Sequence, residues 1–269
     1  MWIGSPLRGA FRLFTYVLLT LVLLPPYLLA MAMGIRPIIR WMPVMYHRMV
    51  CFLLGIRVQV RGSRSAVTPT LFVCNHVSYL DIEVLGGLVP GSFVAKAEVA
   101  TWPFFSTLAK AQRTIFIERS SGKTSASRDE MMRRLDTGDN LMLFPEGTSS
   151  DGTRVLPFRS ALFGVAQLRR DDRPIVVQPV AISYTRLDGI PLGRYWRPLF
   201  AWFGDLDLVP HLWQMVCLGE TEAVVTFFPP IDIDQLGDRK KLAEFCFRQV
   251  SLGVQAANSG RYELLPRLA

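Results

Sequence analysis

Two residues with side chains suited to proton transfer, His76 and Asp81, stand five positions apart in this sequence. A carboxylate that accepts a hydrogen bond from Nδ1 of a histidine fixes the imidazole tautomer and leaves Nε2 free to take a proton. Such a pair would serve as a general base and its orienting group. A surface histidine beside a helix-capping aspartate fits the same spacing. The pair alone therefore leaves both interpretations open.

The residues around the pair predict its place in the fold. Residues 70–74 are apolar and predict a short buried strand, whereas Asn75, Ser78 and Asp81 are residue types that begin helices. We therefore expect His76 where a strand ends and a helix begins, which is where open α/β sheets place their chemistry.

A second apolar run breaks into a polar loop at residues 141–149, which read Leu-Met-Leu-Phe-Pro-Glu-Gly-Thr-Ser. Pro145 and Gly147 predict a sharp turn after a strand. The two motifs, His-x4-Asp and then Pro-Glu-Gly-Thr, resemble those of the glycerolipid acyltransferase family, which makes phosphatidic acid from lysophosphatidic acid. This resemblance implies that His76 and Asp81 are catalytic. It also implies a mixed α/β sheet flanked by helices.

The resemblance further implies contacts with the substrates. Lys96 falls in a Lys-x-Glu that lies near the reacting thioester in the family, although a solvated lysine at a helix start fits nearly as well. Arg119 matches a Phe-Ile-x-Arg motif whose arginine helps to bind the acceptor's phosphate, and a guanidinium can fork onto such a group. A surface arginine paired with an acid is the alternative. The substrate-binding residues implied in this way are Asn75, Ser78, Lys96, Arg119, Glu146, Gly147, Thr148 and Arg159.

Residues 157–163 depart from the family pattern. The family often has Pro-Phe-Lys-x-Gly-x-Phe here, whereas this chain has Arg159 in place of the lysine and Ala161 in place of the glycine. The positive charge is kept, but the flexibility of glycine is lost. This change bears on the shape of the acceptor pocket more than on the chemistry.

The composition indicates contact with a membrane. The chain of 269 residues is 50% hydrophobic with a formal net charge of +8, a mean hydropathy of +0.27 and a pI of about 9.6. Basic and apolar character together favour an anionic membrane surface. We expect no nucleic-acid partner, because the chain lacks a dense Lys/Arg block, zinc-finger spacing and an aromatic RNA-binding motif. The four cysteines are far apart, which predicts buried thiols in a reducing compartment and no metal site.

The N-terminal segment predicts a retained membrane anchor. No charged residue occurs from Leu13 to Ile35, about 23 residues, which is enough to cross a bilayer. Pro25 and Pro26 leave three arrangements open: a kinked span, a re-entrant hairpin, or two short helices in the interface. A cleaved signal peptide is the rival interpretation, since residues 30–32 resemble a cleavage site, but the apolar part is long for one.

We therefore divide the chain into a helical membrane-anchor region at residues 1–55 and a catalytic domain at residues 56–269. Under the positive-inside rule, arginines after the anchor predict a catalytic domain on the cytoplasmic face of a bacterial inner membrane. Arg8 and Arg12 precede the anchor as well. The arginines that follow it are Arg36, Arg40, Arg48, Arg57, Arg61 and Arg64.

Strands and helices alternate through the rest of the chain, which predicts an α/β catalytic region. Pro179, inside a predicted strand, suggests a bulge or an edge position. Residues 187–213, rich in Trp, Phe and Pro, would be plain core or an insertion that covers the acyl chain or meets the membrane. The predicted strands cover residues 56–61, 92–95, 114–119, 175–184 and 223–228, and the predicted helices cover residues 40–54, 121–137 and 239–256.

The expected reaction is direct acyl transfer, in which Nε2 of His76 takes a proton from a lysolipid hydroxyl and the oxygen attacks an acyl thioester. No enzyme nucleophile is required, and the chain has no Gly-x-Ser-x-Gly elbow. We expect no cofactor, and a thioester of acyl carrier protein or coenzyme A as the donor.

The expected acceptor is 1-acylglycerol-3-phosphate, because Arg119 suits a phosphate, and lyso-ornithine lipid, an aminolipid without phosphate, is the alternative. A lipid hydrolase or thioesterase, with water as the acceptor, is a second class of function. A membrane-binding protein without catalysis is a third.

Overall fold

The computed structural model describes residues 3–97, 100, 105–117, 124–170 and 172–265. This part of the chain forms a mixed sheet flanked by helices, as expected. The helices are α1 (Pro6–Ala32), α2 (Arg36–Leu54), α3 (Leu80–Gly86), α4 (Phe105–Ala111), α5 (Thr124–Asp136), α6 (Leu208–Cys217) and α7 (Arg239–Ser259). The strands are β1 (Ile56–Arg61), β2 (Thr70–Cys74), β3 (Gly91–Lys96), β4 (Ile115–Ile117), β5 (Asn140–Leu143), β6 (Arg169–Arg170), β7 (Arg173–Pro174), β8 (Val176–Leu187), β9 (Ile190–Pro191) and β10 (Thr221–Phe227). Short 3-10 helices cover Ser160–Gln167, Arg197–Phe200, Ile233–Gln235 and Tyr262–Leu264.

The main sheet has the strand order β1-β10-β8-β2-β5-β3-β4, with β9 paired to β8. The strands from β8 to β4 in this order are parallel neighbours, whereas β10 is antiparallel to β8. In the register of β2 and β5, Val73 lies opposite Leu143. The loops after these two strands, which carry both motifs, therefore start side by side at the carboxyl edge of the parallel strands, as expected for an open α/β sheet.

Both faces of β2 are covered, which explains why all five of its residues are buried. Phe72 and Cys74 pack in one core cluster with residues of α3, and Leu71 and Val73 pack in another with residues of α5 and α7. This division follows from the two-residue period of a strand. A parallel strand buried on both faces reads as a continuous apolar run, which is how the sequence predicted β2.

The first helix is continuous through Pro25 and Pro26, so within the described chain the segment forms neither a re-entrant hairpin nor two short helices. It is long and apolar enough to cross a membrane. It is also attached to the catalytic region along its length. Near its start the Ser5 amide donates to the Cys217 carbonyl at 2.9 Å, and near its end the Tyr27 hydroxyl donates to the Ala111 carbonyl at 3.0 Å.

The outer faces of α1 and α2 expose many large apolar side chains. Phe11 and Phe14 of α1 are 66% and 69% exposed, and Phe52 of α2 is 88% exposed. Other exposed members of this apolar face are Leu7, Leu18, Leu21, Val22, Leu29, Met33, Trp41 and Met45. Apolar surface that extends over two helices marks an interaction site on a protein.

The position of Pro179 differs from the expectation of an edge strand or a bulge. Its strand, β8, lies in the interior of the sheet, and the register shift between β8 and β10 falls at Glu222 and Ala223. The Phe228 amide donates to the Pro179 carbonyl at 3.0 Å. The proline cannot return a hydrogen bond, and the Gln178 side chain donates to the Phe228 carbonyl instead, at 2.8 Å. A side chain thus replaces the missing amide hydrogen.

Candidate active site

The long strand β8 explains how the His76 loop is held. In the register of β2 and β8, Cys74 is opposite Val180, so β8 continues past the end of β2 and runs beside the loop that follows. Asn75 uses this extension: its Nδ2 donates to the Ile182 carbonyl at 3.0 Å, and its Oδ1 accepts from the Ile182 amide at 2.9 Å. The asparagine therefore fixes the first residue of the loop to the sheet.

Asp81 is the centre of the hydrogen bonds in the His76 loop. Its Oδ2 lies 2.8 Å from Nδ1 of His76 and accepts from the Val77 and Ser78 amides at 2.7 and 2.9 Å. Its Oδ1 accepts from the Tyr184 hydroxyl at 2.9 Å. An ionised carboxylate can only accept hydrogen bonds, so the hydrogen between Asp81 and the ring belongs to Nδ1 of His76. Nε2 is then the basic nitrogen. This arrangement can support general-base chemistry.

The imidazole is also held by an aromatic stack. The centroids of the His76 and Phe144 rings lie 4.3 Å apart, with an angle of 22° between the ring planes. The Phe93 ring stacks in turn on the Phe144 ring, with the centroids 6.2 Å apart. Phe144 is the residue just before Pro145 in the second motif. The second motif therefore helps to orient the histidine of the first.

Glu146 connects the two motifs through the main chain. Its Oε1 accepts from the His76 amide at 2.7 Å and its Oε2 accepts from the Leu156 amide at 2.8 Å. Burial raises the pKa of Glu146 to about 8, against the opposing effect of these two hydrogen bonds. Both oxygens are engaged by the protein, so this geometry gives Glu146 a positioning role that the sequence did not indicate.

Of the other residues predicted to bind substrate, some are buried and others are accessible from the cavity or from solvent. Ser78 is fully buried, and its hydroxyl has no hydrogen-bond partner within the described chain. Gly147 and Thr148 line the cavity described below. Gly147 has a φ of +69°, and a Cβ there would lie 3.0 Å from Nε of Arg159. The exposed Arg159 side chain therefore rests on the turn of the second motif.

Two residues predicted from the sequence lie outside the described part of the structure. They are Arg119 and the side chain of Lys96. The strand β4 is described from Ile115 to Ile117. The roles of Lys96 and Arg119 therefore stay predictions.

A cavity of about 930 Å³ opens beside His76. Its walls come from the sheet edge, from α1 and α2, and from the loop after Phe200. The lining is mainly apolar and includes Leu23, Leu24, Met42, Ile82, Phe93, Phe144, Trp202 and Leu208. Such a volume is typical of a site for an extended organic ligand.

One buried polar group stands in the cavity wall. Nδ1 of His47 lies 2.7 Å from Oε2 of Glu83, and its Nε2 lies 3.1 Å from Oε1 of Gln112. The Gln112 amide nitrogen donates to the Gly91 carbonyl at 3.3 Å, which fixes the orientation of that side chain. Both ring nitrogens thus face acceptors, as in a charged imidazolium. Burial lowers the pKa of His47, but the Glu83 charge and the two hydrogen bonds raise it more, so the net shift is upward.

Two loops are attached to consecutive residues at the site. The Ser150 amide donates to the His76 carbonyl at 2.8 Å, and the Trp202 amide donates to the Val77 carbonyl at 3.0 Å. Residues 187–213 therefore contribute to the cavity through Trp202, whereas Phe200 and Ala201 of the same segment pack in the core. Over the described residues, no three His, Cys, Asp or Glu side chains are grouped as metal ligands.

Sequence reasoning missed Tyr184, Phe144 and Trp202. Tyr184 closes a predicted strand, but nothing in its local sequence indicates a contact with Asp81. Phe144 lies in the second motif and Trp202 lies in the segment at residues 187–213, but no local signal singled out either ring. A strand that extends past its neighbour, and a loop attached to the site from far along the chain, are tertiary features without a local signal.

Comparison with known proteins agrees with this fold and site. The family model described as Acyltransferase matches residues 57–183. A lyso-ornithine lipid O-acyltransferase of Rhizobium meliloti is 41% identical over 238 residues, covering 87% of this chain and 81% of that protein. A 1-acyl-sn-glycerol-3-phosphate acyltransferase of Neisseria gonorrhoeae is 33% identical over 175 residues, 65% of each chain.

The structural comparison agrees with this fold. The crystal structure of the 1-acyl-sn-glycerophosphate acyltransferase PlsC from Thermotoga maritima aligns with a TM-score of 0.66 at 21% identity, covering 93% of both chains. This chain belongs to the acyltransferase family and shares its α/β fold.

Proposed function

We propose that this membrane acyltransferase transfers a fatty acyl chain from a thioester to the hydroxyl of lyso-ornithine lipid, with His76 as general base. The observation that carries the chemistry is the 2.8 Å contact between Nδ1 of His76 and Asp81 in the wall of a mainly apolar cavity. Two relatives support this choice of acceptor. A second lyso-ornithine lipid O-acyltransferase, from Brucella abortus, is 43% identical over 82% of this chain.

This ranking of acceptors reverses the one drawn from Arg119. Lysophosphatidate is the second candidate, supported by the similarity to the Neisseria gonorrhoeae enzyme, which is lower and extends over less of the chain than that to the Rhizobium meliloti enzyme. The two candidates share the reaction and differ in the head group of the acceptor. They are separated by experiment below.

The reaction would proceed in one transfer step. Nε2 of His76 takes the proton of the acceptor hydroxyl as its oxygen attacks the thioester carbonyl, and the C–S bond breaks. The thiolate leaves and takes the proton back from the imidazolium. Asp81 stabilises the transient positive charge of His76, and such general-base catalysis contributes on the order of 10²–10⁴ in rate. The donor is a thioester of acyl carrier protein or coenzyme A, and the reaction needs no cofactor.

The predicted substrate contacts take separate tasks in this proposal. Gly147 and Thr148 form part of the cavity wall, and Arg159 supplies a positive charge beside Gly147. Lys96 and Arg119 contact the donor and the acceptor head group. Asn75, Ser78 and Glu146 shape the loop that presents the base. An acyl chain would extend from His76 into the apolar cavity.

The membrane would lie against the apolar face of α1 and α2. Because α1 is hydrogen-bonded to the catalytic region near both of its ends, we propose that residues 1–55 lie in the interface with their apolar face towards the lipid. The domain at residues 56–269 would then be on the cytoplasmic face of the inner membrane. This arrangement would let lipid substrates enter the cavity, whose wall includes Tyr16, Thr20 and Leu23.

The test is acyl transfer by the purified protein in lipid vesicles. Labelled acyl thioester is offered with lyso-ornithine lipid, with lysophosphatidate or with no acceptor, and His76→Ala is run beside each. Diacyl product from lyso-ornithine lipid that is lost in the variant is the expected result. Product from lysophosphatidate alone would move the protein to the second candidate. Free fatty acid in every reaction would indicate a hydrolase, and near-normal transfer by the variant would refute the mechanism.

A further inference from the structure

The charges around the cavity are unusual for a site that takes a phosphate. The charged carboxylates among its described lining residues are Glu83 and Asp205, and no described lysine or arginine side chain is in the lining. Glu83 is paired with His47, so its charge is balanced within the protein. The carboxylate of Asp205 has no hydrogen bond or ion pair to a described residue. Asp205 is therefore the uncompensated charge of the described wall.

The chain places Asp205 close to the reacting centre. It is three residues after Trp202, whose amide is bound to the Val77 carbonyl next to His76. Three residues span at most about 11 Å. Asp205 is exposed, so its carboxylate is available to a ligand at the rim of the cavity.

Two aromatic rings line the same cavity as this carboxylate. Tyr79 and Trp202 both line the cavity, and their rings lie 6.1 Å apart with an angle of 60° between their planes. A carboxylate next to aromatic faces favours a cation, because the faces carry negative electrostatic potential. The same surroundings would disfavour the dianion of a phosphate monoester.

We propose that Asp205 binds the ammonium group of an aminolipid acceptor and thereby selects it over a phospholipid acceptor. This inference rests on the proposed function, since it assigns one head-group contact of the same site. The free groups of an N-acylated ornithine are a primary ammonium and a carboxylate. Asp205, on the loop after Trp202, takes the ammonium. Arg159, on the turn of the second motif beside Gly147, takes the carboxylate.

The two charges fit a zwitterion better than an anion. Arg159 is a fork donor for a carboxylate, and its contact with Gly147 places it against a residue of the cavity wall. The loops that carry Arg159 and Asp205 are each bound to the His76 segment, through His76 and Val77. The acceptor hydroxyl would thus reach His76 while the two ends of the head group bind on separate loops.

The experiment compares two acceptors that differ only in the ammonium group. One is lyso-ornithine lipid, and the other is the same lipid with its free amine acetylated. The expected result is that wild type prefers the free amine, and that Asp205→Asn raises KM for that lipid about fivefold, with kcat little changed. Ion pairs and cation–π contacts at partly exposed sites have this magnitude. The acetylated lipid should be used equally well by both proteins.

Asp207→Asn is the matched control, because Asp207 is an exposed carboxylate two residues further on that does not line the cavity. This variant should keep the wild-type preference, and Asp205→Glu should keep most of it. The Asp205→Asn effect should decrease at high salt. An Asp205→Asn protein that retains the full preference, or that loses activity equally on both lipids, would overturn the inference. If wild type acylates lysophosphatidate and neither ornithine lipid, the proposed function itself fails.

Discussion

The hydroxyl of Tyr184 lies 2.9 Å from Oδ1 of Asp81, although 103 residues separate the two in sequence. The tyrosine is buried, and its ring stacks on Phe200 with the centroids 5.4 Å apart. The Asp81 carboxylate thus carries one donor on Oδ1 and three on Oδ2. The chain of contacts from Tyr184 through Asp81 to His76 connects an inner strand of the sheet to the candidate base.

Tyr184→Phe should lower kcat of acyl transfer by up to about tenfold. The variant keeps the ring but removes the donor to Oδ1, so the Asp81 carboxylate that orients His76 is held less firmly. Phe200→Leu is the control: it loosens the stack and leaves the donor, so its kcat should stay close to that of wild type. Steady-state kinetics of the two variants measure the difference. Equal kcat values for Tyr184→Phe and wild type would exclude a role for this contact.

Asp81→Asn should lower kcat by on the order of 10²–10⁴ while the protein stays folded. Three donors face the Oδ2 position, so the asparagine oxygen should occupy it and preserve the loop. What is lost is the negative charge that stabilises the imidazolium. Steady-state kinetics and thermal unfolding of the same preparation check both statements. A protein that loses activity only because it unfolds would contradict them.

Glu146→Gln should be destabilising despite its similar shape. Both side-chain oxygens accept hydrogen bonds from main-chain amides, those of His76 and Leu156. In glutamine one of these oxygens is replaced by an NH₂ group, which cannot accept from the amide that faces it. Leaving one buried amide unpaired costs about 1–3 kcal/mol. Denaturant unfolding should show this loss, with reduced activity from a displaced His76. Glu244→Gln, in an exposed part of α7, should change neither quantity.

The His47–Glu83 pair predicts a stability that falls as pH rises. The folded state raises the pKa of His47 above its ordinary value of 6.5. Its contribution is therefore complete below that value and disappears as pH rises through the folded pKa. Urea unfolding of wild type and of His47→Gln, from about pH 5.5 to about pH 9, measures this contribution on both sides of the ordinary histidine pKa. The difference in unfolding free energy should be largest at the acidic end. A difference that grows towards alkaline pH would contradict the assignment of a charged His47.

Phe52→Ser should weaken attachment to vesicles. Phe52 is 88% exposed on the apolar face of α2, and burying such a side chain in lipid contributes about 1.5–3 kcal/mol. Partition to anionic vesicles should drop by about tenfold or more in a flotation assay. Val60→Ser, on the edge strand β1 and 48% exposed, should bind as wild type does. Equal losses for the two variants would argue against a membrane face on α2.

Much of the architecture could be predicted because its signals are local. The buried run of β2, the strand predicted at residues 56–61 and the two polar loops each follow from a few consecutive residues, and the structure confirms these elements. The edge position suggested by Pro179 was wrong, because the Gln178 side chain supplies the hydrogen bond that a proline cannot. That compensation acts across strands and leaves no periodic pattern in the sequence.

The chemistry of single residues was harder to predict than their proximity. Asn75, Ser78 and Glu146 do lie next to His76, as their motifs indicate. The sequence could not reveal that their polar groups turn inward, since Glu146 could equally face a ligand or two main-chain amides. Residue type and spacing locate a site, whereas the partners of each oxygen depend on loops that arrive from distant parts of the chain.

Because α1 is continuous and packs on the catalytic region, its residues help to determine which substrates the enzyme accepts. Arg12 of this helix donates to the Leu218 carbonyl at 2.7 Å and to the Val216 carbonyl at 3.2 Å, and further along the helix Tyr16, Thr20, Leu23 and Leu24 form part of the cavity wall. Residues that the sequence predicted as a membrane anchor are thus part of the wall of the candidate site. A membrane contact requires only that the side chains of this helix be apolar, so one apolar residue can replace another there. Such substitutions at the cavity wall would change the acyl-chain length that the enzyme accepts. Swapping α1 between two such enzymes should carry that preference with it.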